Sequence, residues 1–402
     1  MTQHDLEYFE KQLKELSGTL QTLADEQDRS KTHAKKEAPL TPDALARRDD
    51  APATESVPEE VRAGLASARV SVTIPYAGST LEEDGAQRAG RMAESRELIL
   101  PEGSFLGVAV KETKLHRRGS LRAPTAPQRP YRPAWEHLLH YPRPSGVERI
   151  LLRRSNGRMV VPTDSGRAYG EYPARLPFYP SGYPWQCIGR LFVWADASSP
   201  NWSSYGSAVL IGSRAVLTAA HMIPWGSANW KALFVAGYYD GKSSSGLGGQ
   251  SWVTNAHGYA GNSVSAHDMA VLRLQDPLGS WLGYLGFRGY DDSWEGGNYW
   301  HLVGYPSAIT SERPSWQGGI HVIDDDEDGD GQELEHHGDD TGGDSGGPFF
   351  GFWDDGPYAI GTVSGYEVIS GGFLGIGNED NNIVAGGPAL NAICQFARQN
   401  WP

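Results

Sequence analysis

The chain has 402 residues, a formal net charge of −14 and only two cysteines, which suits two or three domains, or one large unit with an extension. An acidic body argues against nucleic acid as the main partner, because phosphate would be repelled. No apolar run approaches the length of a membrane span, and two cysteines, Cys187 and Cys394, are too few for a disulfide framework: they form either one bridge or two buried free thiols.

The first residues, "MTQHDLEYFEKQLKEL", carry no apolar core behind a basic head, so they do not read as a Sec-type leader. The chain as written is therefore expected in the cytoplasm, with leaderless export as the other route. Leu6, Phe9, Leu13, Leu16, Leu20 and Leu23 alternate in steps of three and four, the a/d seam of a helix. That helix over residues 5–24 either recruits a partner or a second copy, or docks on its own protein. Gly18 weakens it by about 1 kcal/mol. Residues 27–60 are charged and rich in Pro and Ala, which predicts a flexible linker, so 1–60 is expected to be helix and linker.

Residues 61–175 contain short β-like pieces such as "ARVSVTIPYAG" and "SFLGVAVKET", then the Pro-punctuated "LRAPTAPQRPYRPAWEHLL". Charge divides the chain sharply. Lys and Arg number 13 against 20 Asp and Glu over 1–110 (net −7), 14 against 5 over 111–175 (net +9), and 8 against 24 over 176–402 (net −16). The acidic body is the nearest surface on which the basic stretch could dock.

From about residue 185 short apolar runs alternate with Gly, Ser and Asn turns, among them "CIGRLFVWA", "SAVLIGSRAVLTAAH", "DMAVLRL" and "GPFFGFW". Many short strands with close turns predict an all-β barrel or sandwich, closed by a helix over "GGPALNAICQFARQN". Three segments bear chemistry. "AVLTAAH" ends an apolar run in His221, "HDMAVLRL" puts Asp268 at the mouth of another, and "GGDSGGP" sets Ser345 among glycines. Amide hydrolysis at neutral pH needs an activated nucleophile, a base and oxyanion donors, and these segments can supply all three.

"LTAAH", "D-x-A-V-L-x-L" and "GDSGGP" resemble, in order, the signatures of chymotrypsin-like (trypsin-fold) serine peptidases. "YPWQCIGRLFV", "LVGYP" and "DDTGGDSGGP" resemble the bacterial glutamyl-endopeptidase branch. The resemblance covers roughly residues 150–402. It implies two six-stranded antiparallel β-barrels with the site between them, and a protease domain over 176–402. It implies Ser345 as nucleophile, His221 as general base, Asp268 as its orienter, and the N–H groups of Gly343 and Ser345 as the oxyanion hole. The substrate would be protein or peptide, and no cofactor is called for.

Pocket residues implied by the resemblance are Asp339, Asp340, Val363, Ser364 and Gly365. Glutamyl enzymes carry His and Ser or Thr where this chain has Val363 and Asp340, so cleavage after Glu is put in question. Asp339 occupies the place of the acid that binds Arg or Lys at P1, and that is the expected preference, with Glu or Asp as the rival. Asp344 matches the residue that pairs with a freed α-amino group in trypsin-like zymogens. On that reading 61–175 is a pro-segment cut after Arg154, Arg158, Arg167 or Arg175; otherwise it is a permanent regulatory region.

"DDDEDGDGQELE" matches the spacing of an EF-hand loop through Asp324, Asp326, Asp328, Gly329 and Glu335. A solvated acidic turn is the other reading. His267, His336 and His337 are expected at the surface or rim, without zinc-ligand spacing.

Overall fold

The computed structural model describes residues 37–67, 70–75, 95–100, 109–145, 154–155, 158–159, 172–173, 175–199, 201–261, 265–309, 312–369 and 379–402. The chain divides into Met1–Ala38 and Pro39–Pro402. The heptad segment 5–24 and Arg167 lie outside the described residues.

Among the described strands the first sheet comprises β1 (Glu112–His116), β3 (Ile188–Trp194), β4 (Ser204–Leu210), β5 (Ala215–Thr218), β6 (Lys231–Ala236), β7 (Gln250–Tyr259) and β8 (Ala270–Leu274); β2 (Leu176–Tyr179) belongs to the second. The order is β6-β3-β4-β5-β8-β7-β1, and β6 also pairs antiparallel with β7 through Leu233 and Trp252. Six strands thus close into a barrel, which removes the exposed edges an open sheet would present. The ten residues of β7 serve two neighbours besides β8. Gln250–Trp252 close the barrel, and Asn255–Tyr259 take β1 in parallel. The apolar runs of β3 and β5 are buried along their whole length.

The second sheet has ten strands. Its main ones are β9 (Trp300–Gly304), β10 (Ser315–Ile320), β11 (Asp324–Asp328), β12 (Gly331–His336), β13 (Pro348–Trp353), β14 (Gly356–Ile369) and β15 (Glu379–Gly386), in the order β11-β12-β15-β14-β13-β9-β10-β2. Trp294, Trp300, Phe349, Trp353 and Tyr358 form its aromatic core. The all-β expectation is met, and the C-terminal residues form the expected helix. Among the described residues no helix is long and apolar enough to cross a membrane.

The extension departs from the linker reading. Three short helices precede or join the body: α1 (Pro42–Ala46), α2 (Glu59–Ala66) and α3 (Leu278–Leu282), followed by the terminal α4 (Gly387–Asn400). Thr41 caps α1 by accepting from the Ala44 N–H at 3.2 Å, with Pro42 in the first turn. Leu45 and Val61 are buried, and Gly64 packs against the Trp281 ring of α3. Leu40 N–H donates to Phe352 O at 2.7 Å, and Gly248 N–H to Leu65 O at 2.7 Å. The Pro-punctuated stretch is also built in: Gln128 pairs with Phe287, Tyr131 with Tyr284, and Leu138 with both Ala51 and Tyr183. Residues 39–66, expected to be linker as far as residue 60, and residues 117–142 are thus laid onto the body by single bridges, backbone hydrogen bonds and buried side chains, while β1 joins the first sheet as a strand.

The backbone of Ser95–Leu100 pairs with Val70–Pro75, and Arg154–Ser155 with Arg158–Met159. Of the two readings of the acidic segment, the structure has the acidic turn: β11 and β12 form a hairpin with Asp324 opposite Glu335. Alternate residues of an extended strand stand about 6–7 Å apart, so Asp324, Asp326 and Asp328 cannot converge on one ion. No group of three or more ligating side chains suited to a metal occurs among the described residues. The hairpin instead meets the basic stretch, with Arg118 on Asp328 at 2.5 Å and the Gly119 N–H on Asp330 at 3.0 Å. Cys187 and Cys394 are free and buried.

Candidate active site

His221 sits in a single turn, Ala220–Met222, immediately after β5, and Asp268 two residues before β8. β5 and β8 are antiparallel neighbours, Thr218 facing Ala270, so the barrel brings the two side chains together. His221 Nδ1 lies 2.6 Å from Asp268 Oδ2, and the His221 backbone N–H donates to Oδ1 at 2.8 Å. Asp268 is fully buried while the His221 side chain stays about a third exposed. That arrangement fixes one ring nitrogen and leaves the other free to face a reacting group.

A third donor reaches the same carboxylate. Ser364 Oγ donates to Asp268 Oδ2 at 2.6 Å. The register of β14 on β15 slips between Val363 and Gly365, so Ser364 is the extra residue of a bulge. Bulges re-aim side chains, and this one turns Ser364 onto Asp268. Val363 departs from its pocket expectation: its side chain belongs to the core of the second sheet. Its backbone ties down the next residues of interest, accepting from Gly346 N–H at 2.8 Å and donating to Gly347 O at 2.9 Å.

Ser345 lies in a turn between Gly343, at φ +103°, and Gly346, at φ +83°. A Cβ on Gly346 would stand 2.1 Å from Thr218 Oγ1 and 2.9 Å from Ala219 N. The turn is therefore packed directly on the residues that lead into His221. Ser207 of β4 holds it from the barrel side. Its N–H donates to Ser345 O at 2.8 Å, and its hydroxyl donates to Gly343 O at 2.8 Å while accepting from Tyr305 N–H at 3.0 Å. The N–H groups of Gly343 and Ser345 themselves have no acceptor among the described residues. Ser207 is invisible to motif reading, since a serine inside "SYGSAVL" carries no signal of its own.

The acidic residues before the turn face inward. Arg175, just ahead of β2, donates from Nη1 to Asp344 Oδ2 at 2.6 Å and from Nη2 to Oδ1 at 2.7 Å. It also donates to Asp339 O at 2.7 Å, and both side chains of the ion pair are buried. Arg175 therefore does not offer the exposed side chain expected of an activation cut. Burial, then the Asp344 charge, push Asp340 well above the usual carboxylate range, and it bonds to Asp344 as the protonated partner. Asp340 thus turns away from a pocket. Asp339 is buried, with Oδ2 accepting from Gln317 Nε2 at 3.0 Å and its N–H donating to Gln317 Oε1 at 2.7 Å.

Two histidines expected at the rim are interior. His267 is fully buried, with Nε2 at hydrogen-bond distance, 2.8 Å, from Asp330 Oδ1. His336 stacks on Phe349 and accepts from Gly338 N–H at 3.0 Å. His337 remains half-buried, 2.8 Å from Asn381 Oδ1.

Residues 206–355, which span His221, Asp268 and Ser345, match the family model of the trypsin-like peptidase domain. No curated protein matches the chain. Solved structures that it resembles include a Glu endopeptidase in complex with MPD, at 18% identity and TM-score 0.40 over 54% of this chain and 92% of that one. The protease Anisep from Arthrobacter nicotinovorans follows at 19%, 0.38, 53% and 93%. A thermostable serine protease from an extremophilic microorganism stands at 22%, 0.37, 53% and 97%. The family match supports a serine endopeptidase hydrolase with a trypsin-like fold.

Proposed function

We propose that this trypsin-like domain hydrolyses peptide bonds through an acyl-enzyme on Ser345. The observation that carries the reading is Asp268, which is buried and held by three donors, two of them from His221. In the first step His221 Nε2 takes the Ser345 hydroxyl proton as Oγ bonds to the substrate carbonyl carbon. The carbonyl π pair moves onto oxygen, where the N–H groups of Gly343 and Ser345 donate to it. Collapse breaks the C–N bond, and the leaving amine takes the proton from His221. Water repeats the cycle on the ester and frees Ser345. The Asp268 carboxylate orients His221 and stabilises the imidazolium as it forms.

A basic P1 residue is the proposed preference. Asp339 and the −16 charge of residues 176–402 support it. Cleavage after Arg154, Arg158 or Arg167 in the basic stretch belongs to the same proposal as self-trimming that follows from a basic preference, not as a condition for activity. A fluorophosphonate probe should label the wild type and leave Ser345→Ala unlabelled, and a peptide library should be cut after Arg or Lys. Absence of labelling in a folded wild type would sink the peptidase reading, and cleavage after other residues would sink only the preference.

A further inference from the structure

The ion pair of Arg175 with Asp344 stands directly beneath the nucleophile turn, and its geometry asks what it does there. Asp344 precedes Ser345 and is completely buried. A buried carboxylate is strongly disfavoured unless a cation or a proton relieves it, and in this turn a cation is supplied. Arg175 supplies that charge with a two-pronged contact. The same guanidinium reaches Asp339 O at 2.7 Å and Ser315 O at 3.4 Å. Thr341 N–H donates to Asp344 Oδ2 at 3.0 Å. Residues 339–344 are therefore wrapped around one cation that is also pinned to β10. The far end of that wrap is Gly343, whose φ of +103° orients its free N–H.

We propose, resting on the peptidase reading above, that Arg175 is the positioning residue that sets the oxyanion donors, so that the uncut chain is already competent. No α-amino group released by cleavage is needed, because the buried place it would fill is taken. Cuts after Arg154, Arg158 or Arg167 would leave the pair intact. A cut after Arg175 would place the guanidinium on the departing segment and loosen the turn.

The test uses the full-length chain. Wild type and the triple variant R154Q/R158Q/R167Q, both verified as intact by mass, should be labelled by a fluorophosphonate and should cleave peptide. Arg175→Ala should lose about 10²–10³-fold in kcat/KM, the size of one lost oxyanion donor, with the loss in kcat and with KM little changed. Millimolar guanidinium should restore part of that rate. Arg175→Lys, which keeps the charge without the fork, should fall between the two and gives the answer if Arg175→Ala does not fold. The inference is overturned if folded Arg175→Ala keeps wild-type kcat while Ser345→Ala is dead. It is equally overturned if the intact chain is inactive until a protease creates a new N-terminus. A folded wild type that neither labels nor cleaves in either form removes the peptidase reading and this inference together.

Discussion

At the residue scale, Gly346 shows how tightly the nucleophile turn is built. An alanine there would place Cβ 2.1 Å from Thr218 Oγ1 and 2.3 Å from Ser207 O, at a φ of +83°. Gly119 makes a natural comparison, because it has φ +70° and nothing within 4 Å of a built Cβ. Gly119→Ala should cost only the left-handed backbone term, about 1 kcal/mol. Gly346→Ala adds a collision with the barrel and should cost about 3 kcal/mol or more, with activity lost in whatever still folds. Urea midpoints of the two variants check this, and equal costs would mean that the turn is not held against Thr218.

At the scale of elements, the two sheets were legible because their strands are short apolar runs closed by Gly, Ser and Asn, and the site because three motifs end or begin such runs. The extension was not legible, for a physical reason. Periodicity reports regular elements, whereas beyond β1 residues 117–142 cross the body as a strap touching it through single bridges such as Gln128 with Phe287 and Tyr131 with Tyr284. The apolar anchors Leu45, Val61 and Leu139 are far apart in a Pro-rich chain and share no period. Pocket roles misled for a related reason. Asp340 and Val363 carry the right sequence offset, but a bulge and a buried cation turn them inward. If the strap is structural, beginning the chain at residue 146 should yield aggregated protein. Leu45→Ala, at a side chain only 1% exposed, should cost about 2–5 kcal/mol in chemical denaturation. A cost below about 1 kcal/mol would return this segment to the status of a linker.

Across the whole molecule, buried ionisable groups of opposite kinds set how stability responds to pH. Burial lowers His301 and His336 to about 3 and His257 to about 4, while burial raises Glu136 to about 7 and Asp340 well above its usual range. The histidines are neutral when folded, so their contribution is present above the unfolded value of 6.5 and is lost as pH falls below it. Each costs about 1.4 kcal/mol per pH unit in that window. The two acids run the other way. Their contribution is complete below their unfolded values, 3.8 for Asp340 and 4.5 for Glu136, and is lost as pH rises through the folded ones. Between pH 4.5 and 6.5 the two sets oppose each other, and the wild type should be flatter than its histidines alone would make it. Asp340→Asn keeps a donor toward Asp344 and removes one titration. In a Ser345→Ala background, to prevent self-cleavage, its melting temperature should match the parent near pH 4 and exceed it increasingly toward pH 8. Its acid limb should be steeper than the parent's, because one opposing proton is gone. A difference that stays constant from pH 4 to 8 would mean that Asp340 is ionised in the fold, and that Arg175 balances two carboxylates rather than one.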